Sequence, residues 1–328
     1  MGPPPEASAP YQPAAADPQL TPRAAPVRWP WVVLVVAGGL AVAAAAVGVS
    51  LVMVDQAPRS AAATYAWMAV VGAGLLLIGL VGLAVVAIRW KRPLPVERYR
   101  GPSIFVLLLI VLVAANIASG LFLLDDLGAL ATGGQLPALS GTLLLLLTPV
   151  AFIAASAIFV LLPNALAGFR LADGQRTLTN VVRGILLGIG AWVAVAVLSV
   201  GVEWVARQAG QRVEGQQMVA DLLANVPPVV AFAAAAAIVP FGEELFFRGV
   251  VLNAWEREYG PRRGLWGSAL LFTAIHVADG GFLIVPPILV LALVLGAAYQ
   301  RTRSLPLVVA LHGAFNAIST LLLILGPS

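Results

Sequence analysis

The sequence predicts an all-α polytopic membrane protein with about nine transmembrane helices. Three observations carry that prediction. The 328 residues are 60% hydrophobic and 10% charged, where a soluble domain carries roughly 25% charge. Apolar runs of about 20 residues recur along the chain, each long enough to cross a bilayer as a helix. The period-two alternation that a membrane β-barrel requires is absent.

Residues 1–28 are rich in Pro and Ala and poor in large apolar side chains, which predicts a disordered tail. The tail lacks a basic start, and the apolar stretch from Trp31 to Val54 exceeds a signal-peptide core, so a cleaved leader is not expected. The expected spans are residues 30–54, 64–90, 103–124, 142–162, 181–202, 227–255, 265–278, 282–300 and 305–326. The seventh is the shortest and the weakest as a complete crossing. With the tail in the cytoplasm, fifteen of the nineteen Lys and Arg residues fall in cytoplasmic loops. Only Arg59, Arg207 and Arg212 fall outside, and Arg248 alone lies within a span. The positive-inside rule asks for such a bias, and one missed or invented helix would reverse every later loop. The expected topology therefore has the N-terminus inside and the C-terminus outside. The net charge of +4 follows from these loops, so no nucleic-acid partner is expected. The chain contains no cysteine, which excludes a thiol nucleophile, cysteine metal ligands and disulfides.

Composition divides the chain into three parts. After the tail, residues 29–162 form an accessory segment of four spans with no ionisable residue in their middles. Asn116 is a lone polar residue there, expected to hydrogen-bond between helices. Residues 163–328 form a second segment holding every intramembrane charge and both histidines of the protein. Gly184 and Gly188 there make a small-xxx-small pair, a helix-packing signal. The polar stretch 203–226 reads as an outer loop with a short surface helix.

The second segment is organised around Pro240-Phe241-Gly242-Glu243-Glu244-Leu245-Phe246-Phe247-Arg248-Gly249. A charge at the bilayer centre costs about 2.5–3.5 kcal/mol on insertion scales, so two carboxylates and a guanidinium within six residues demand a reason. Glu244 and Arg248 are four apart on one helix face and are expected to form a mainly structural ion pair. Glu243 points about 100° away and needs another partner. Two later motifs supply candidates: Phe272-x-x-x-His276 and His312-x-x-x-Asn316, the latter with imidazole and amide on one face. Counted from the cytoplasmic ends of their spans, Glu243, His276, His312 and Asn316 lie ~18, ~16, ~12 and ~18 Å deep at the helical rise.

A carboxylate beside a histidine can take a proton from water, and a histidine with an asparagine can donate hydrogen bonds to an oxyanion. Alternatively, Glu243, His276 and His312 could bind Zn²⁺ or another divalent metal that activates the water. Either route leads to hydrolysis of an amide in or near the membrane. There is no His-Glu-x-x-His, no Gly-x-Gly-Asp and no Gly-x-Ser-Gly. Ser140 and Ser268 read as packing or loop residues.

The order Glu-Glu-x-x-x-Arg, Phe-x-x-x-His, His-x-x-x-Asn resembles the CPBP intramembrane proteases, the CAAX proteases and bacteriocin-processing enzymes also called the Abi family. The match covers about residues 180–326, with no departure at the motif positions. The resemblance implies a C-terminal helical core of the CAAX-protease type with a polar cavity open to the cytosol. It implies that Glu243 and His276 activate the water, that His312 and Asn316 stabilise the oxyanion or help hold the site, and that Glu244 and Arg248 support them. The family is named for metalloproteases, and a metal-free glutamate-dependent mechanism is also argued for it. The implied function is an intramembrane endopeptidase acting on a membrane-associated peptide or protein, with membrane lipid as its surroundings. The Ala/Gly/Arg-rich composition suggests a high-GC bacterium and hence a bacterial plasma membrane, which makes a prenylated substrate a poor expectation. Two rivals are weighed against this. A bacteriocin-immunity or scaffold protein would keep the fold without catalysis. A proton-coupled transporter would need polar groups through both leaflets, whereas here they cluster at one depth. Substrate, oligomeric state and the role of the first four helices do not follow from the residues.

Overall fold

The computed structural model describes residues 26–54, 58–122, 137–210 and 226–325. The tail expected to be disordered falls, over residues 1–25, outside the described residues, as does most of the surface helix expected within 203–226. The described residues are nearly all helical and include no strand.

Among the described residues nine long helices follow one another. They are α1 (Trp29–Met53), α2 (Ala62–Lys91), α3 (Ile104–Phe122), α4 (Ala138–Leu161), α5 (Thr177–Gln208), α6 (Pro228–Tyr259), α7 (Pro261–Gly280), α8 (Val285–Thr302) and α9 (Leu305–Leu325). Eight of these are long and apolar enough to cross a membrane; α7 is not. Its first turn carries Arg262 and Arg263, which dilute its apolar character. Its 20 residues nevertheless reach ~30 Å, the thickness of a hydrocarbon core.

The loop contacts show how α7 runs. Lys91 at the end of α2 faces Glu258 at the end of α6, 3.8 Å away. Arg257 donates to the carbonyls of Val96 and Ala167, and Arg303 after α8 pairs with Glu256 at 2.6 Å. Ser304 donates to Asp173 ahead of α5. The segments after α2, α4, α6 and α8 therefore gather on one face of the bundle. Since α6 and α8 both end on that face, α7 must run away from it for α8 to return.

The helices α1 and α2 pack as a hairpin, and α5 lies along α9. The second contact depends on the two glycines of the small-xxx-small pair. A Cβ on Gly184 would stand 2.2 Å from the Leu307 carbonyl oxygen, and one on Gly188 would stand 2.4 Å from that of Leu311. Both obstacles are backbone and cannot swing aside. Gly188→Ala is therefore expected to cost about 1–3 kcal/mol by overpacking, read as a lower unfolding midpoint in detergent. An unchanged midpoint would show that α5 and α9 are not in close contact.

One apolar cluster runs through both halves of the chain, from Leu80 and Leu107 through Phe152 to Phe246, Phe247 and Phe272. Its aromatic centre is dense: Phe152 lies 4.7 Å from Phe246 between ring centroids, and Phe247 lies 5.0 Å from Phe272. The helix α4 thus packs directly on the helix that carries Glu243. Ser268 is a packing residue, as expected, donating to the Phe247 carbonyl at 3.0 Å. Asn116 corrects an expectation. Its amide donates to Leu112 one turn back in its own helix, at 2.8 Å, and not to a neighbouring helix. An amide at i can reach the carbonyl at i−4, which satisfies it without a partner helix.

Candidate functional site

The helix α6 is not regular. Wide π-type turns occupy Ala234–Ile238 and Leu245–Leu252, on either side of the segment Val239–Glu244. Pro240 explains part of this, since it has no N–H to offer the carbonyl of Ala236. That carbonyl faces α9 at Gly313, where a Cβ would stand 2.3 Å from its oxygen. On the other side, a Cβ on Gly242 would meet the Pro149 oxygen of α4 at 2.6 Å. Proline and glycine thus bring three backbones together around Glu243, and the close contact at Gly313 places its neighbour His312.

Adjacent positions on the helix send the two glutamates in different directions. Glu244 and Arg248 are fully buried. Arg248 Nη1 donates to Glu244 Oε1 at 2.7 Å, and its Nη2 donates to the Ala292 carbonyl of α8 at 3.0 Å. The guanidinium also stacks over the Phe272 ring, 4.7 Å from its centroid. Glu244 has a second partner: His312 Nδ1 lies 2.9 Å from the same Oε1. The pair is therefore structural, as expected, and in addition orients an imidazole. Sequence spacing held no signal for that link, because the residues are 68 positions apart.

Glu243 lies between the two histidines. Its Oε1 is 3.9 Å from His276 Nε2, and its Oε2 is 3.8 Å from His312 Nε2. These separations are too long for direct hydrogen bonds. Oε2 is buried and has no hydrogen-bond partner among the described residues. The other nitrogen of each ring is engaged. His276 Nδ1 lies 2.8 Å from the Phe272 carbonyl, which can only accept, so Nδ1 carries the proton. The ring's other nitrogen, Nε2, is the one that faces Glu243. The Phe272 ring packs on His276 at 4.4 Å and edges His312 at 6.0 Å between centroids. Side-chain exposures separate the roles: 13% for Glu243 and 20% for His276, against 4% for His312. Solvent reaches the first two and barely touches the third.

Asn316 lies one turn beyond His312 on α9, half-buried, and its amide makes no hydrogen bond among the described residues. The arrangement brings Glu243, His276 and His312 together, with Glu244 and Arg248 behind them. Asn316 is near by position in the helix and is not tied to the others.

The fit to a metal is specific to this geometry. Two donors on a tetrahedral zinc at about 2.0–2.1 Å stand about 3.3 Å apart. Glu243 stands 3.9 and 3.8 Å from the two imidazole nitrogens. Among the described residues no group of three or more His, Asp or Glu side chains is placed to hold a metal ion. The side chains as arranged do not fit such an ion without moving closer.

An apolar groove of about 960 Å³ flanks the site. Its walls include Ile185 and Ile189 of α5, Ala237 and Phe241 of α6, and Gly313 and Ala317 of α9.

Residues 225–318 match the family model of the Rce1-like type II CAAX prenyl endopeptidases, consistent with the CPBP family. The matched stretch contains all six residues singled out above. No curated protein and no solved structure matches the chain.

Proposed function

We propose, from this domain match and the geometry beside it, that the chain is an intramembrane endopeptidase. It hydrolyses a peptide bond of a membrane-associated peptide or protein. The observation that carries this reading is the Glu243 carboxylate set between two imidazole nitrogens at 3.9 and 3.8 Å, each ring anchored through its other nitrogen. A carboxylate oxygen and an unprotonated ring nitrogen both accept, so a donor between them satisfies both, and a water molecule has the required two protons.

The proposed steps use this chain's own residues. A water held between Glu243 and His276 gives a proton to the Glu243 carboxylate as its oxygen attacks the scissile carbonyl carbon. The developing oxyanion accepts hydrogen bonds from Asn316 and from His312. His312 donates to it from Nε2 while its Nδ1 stays against Glu244 Oε1. Glu243 then returns the proton to the leaving amine, the carbon–nitrogen bond breaks, and a carboxylic acid and an amine result, which ionise to carboxylate and ammonium. The apolar groove beside Phe241 and Gly313 suits a lipid-exposed stretch of the substrate. We place the protein in a bacterial plasma membrane with its Arg-rich loop face in the cytoplasm, on the positive-inside bias.

The test uses the full chain in liposomes with membrane-tethered quenched peptides. His276→Ala and His312→Ala each lower cleavage by at least about 10²-fold, the range of a lost acid–base group, while both variants still insert. Full activity in both variants would remove the assignment. A chelator arm with metal analysis decides whether a divalent ion takes part.

A further inference from the structure

Outside the site, the segments that follow α2 and α4 build a second pocket of about 400 Å³. Its lining is Ile88, Arg92, Arg100, Leu162, Pro163 and Asn164. The volume falls within the range of about 300–1,000 Å³ typical of small-molecule sites. Two of the lining residues, Arg92 and Arg100, carry guanidinium groups. Arg100 Nη2 donates to the Asn164 carbonyl at 3.0 Å, and its buried Nε–H meets no acceptor among the described residues. The left-handed backbone at Asn164, φ 52°, is a conformation that asparagine tolerates. Arg92 is exposed; its backbone N–H donates to the Ile88 carbonyl at 3.0 Å, and its side chain makes no ion pair or hydrogen bond among the described residues. Arg257 adds a third guanidinium within electrostatic reach of Arg100, and its own hydrogen bonds are to carbonyls.

The acidic residues of this face form no ion pair with the two pocket arginines, although Glu256 acts electrostatically on Arg257. Glu258 faces Lys91, and Glu256 faces Arg303. Glu97, in the same loop as the two arginines, is exposed and forms an ion pair with neither. Among the described residues the pocket therefore has charged donors and no internal counterion.

The lining also includes apolar side chains. Ile88 belongs to the last turn of α2, and Leu162 follows α4 with 81% of its surface exposed. Trp90, two residues after Ile88, is exposed and carries the Arg28 guanidinium 5.1 Å above its ring. Exposed tryptophan with arginine at a helix end marks the level of lipid headgroups.

We propose that this pocket binds the phosphate of an anionic membrane phospholipid. The phosphate oxygens accept from Arg92 and Arg100, since the planar guanidinium matches a phosphate with paired hydrogen bonds. The acyl chains run over Ile88 and Leu162. Free phosphate shares the headgroup chemistry but has no use for the apolar wall.

The experiment takes the full chain from vesicles of phosphatidylcholine containing a minority of phosphatidylglycerol and counts retained lipids by native mass spectrometry. Wild type retains phosphatidylglycerol in excess of its share. Arg92→Gln lowers that occupancy about fivefold, the weight of one basic residue at an anionic surface, and Arg92→Gln/Arg100→Gln lowers it further. The Arg92 side chain holds no other group among the described residues, so its variant separates ligand loss from misfolding. Occupancy unchanged in both variants would overturn the proposal. Retention of both lipids in proportion to their supply, with added inorganic phosphate bound in an Arg92-dependent way, would overturn the lipid assignment in favour of a soluble phosphate.

Discussion

Glu243→Gln loses peptide-bond cleavage by at least about 10²–10⁴-fold, the loss expected when a general base is removed, while insertion and unfolding temperature hold steady or improve. Both halves of that result follow from the geometry. Glutamine fills the same volume but cannot take a proton from water, and its amide would donate where the carboxylate accepts. Stability is spared because Glu243 Oε2 is buried without a hydrogen-bond partner among the described residues, so the substitution removes a poorly compensated charge. Parallel cleavage assays and thermal unfolding of the two proteins check the pair of outcomes. Activity retained in Glu243→Gln would show that the base lies elsewhere.

Arg248→Met has the opposite signature. It strands the fully buried Glu244, whose Oε1 accepts from Arg248 at 2.7 Å. Breaking one partner of a buried pair costs about 3–5 kcal/mol, because the other charge is left unpaired. The loss is larger here if anything, since the same guanidinium holds α8 through the Ala292 carbonyl and stacks on Phe272. Arg248→Met/Glu244→Gln removes both charges and recovers most of that loss. Unfolding of the two single variants and the double variant in detergent completes the cycle. The double variant regains stability but not activity, because Glu244 also fixes His312 through Nδ1 at 2.9 Å. Additive destabilisation across the cycle would show that the two side chains are not coupled.

The residues made part of this legible before any coordinates. Apolar runs and loop charges gave the helices and their alternation, because crossing a bilayer constrains length and basic residues directly. The i,i+4 spacing predicted the Glu244–Arg248 pair, and the shared depth of Glu243, His276 and His312 grouped three distant segments. The His312–Glu244 contact was not legible, since helix packing and not local spacing sets it. Nor was the use of Pro240 and Gly313: a proline that frees the Ala236 carbonyl and a glycine that receives it carry meaning only once α6 and α9 are placed side by side. Asn116 satisfied its amide locally, an option that its isolation in an apolar helix did not reveal. The weak apolar character of α7 and its passage across the bundle also needed the loop contacts to be reconciled.

The central claim is that Glu243 activates a water that cuts peptide bonds in the membrane. The most direct test compares membranes from source cells carrying wild type or Glu243→Gln, incubated in water enriched in oxygen-18. Mass spectrometry of peptide termini is the readout. The account predicts new C-termini in wild-type membranes, each with one labelled oxygen from the attacking water, and their absence in the variant. The same set of termini, at the same rate, in both membranes would contradict it.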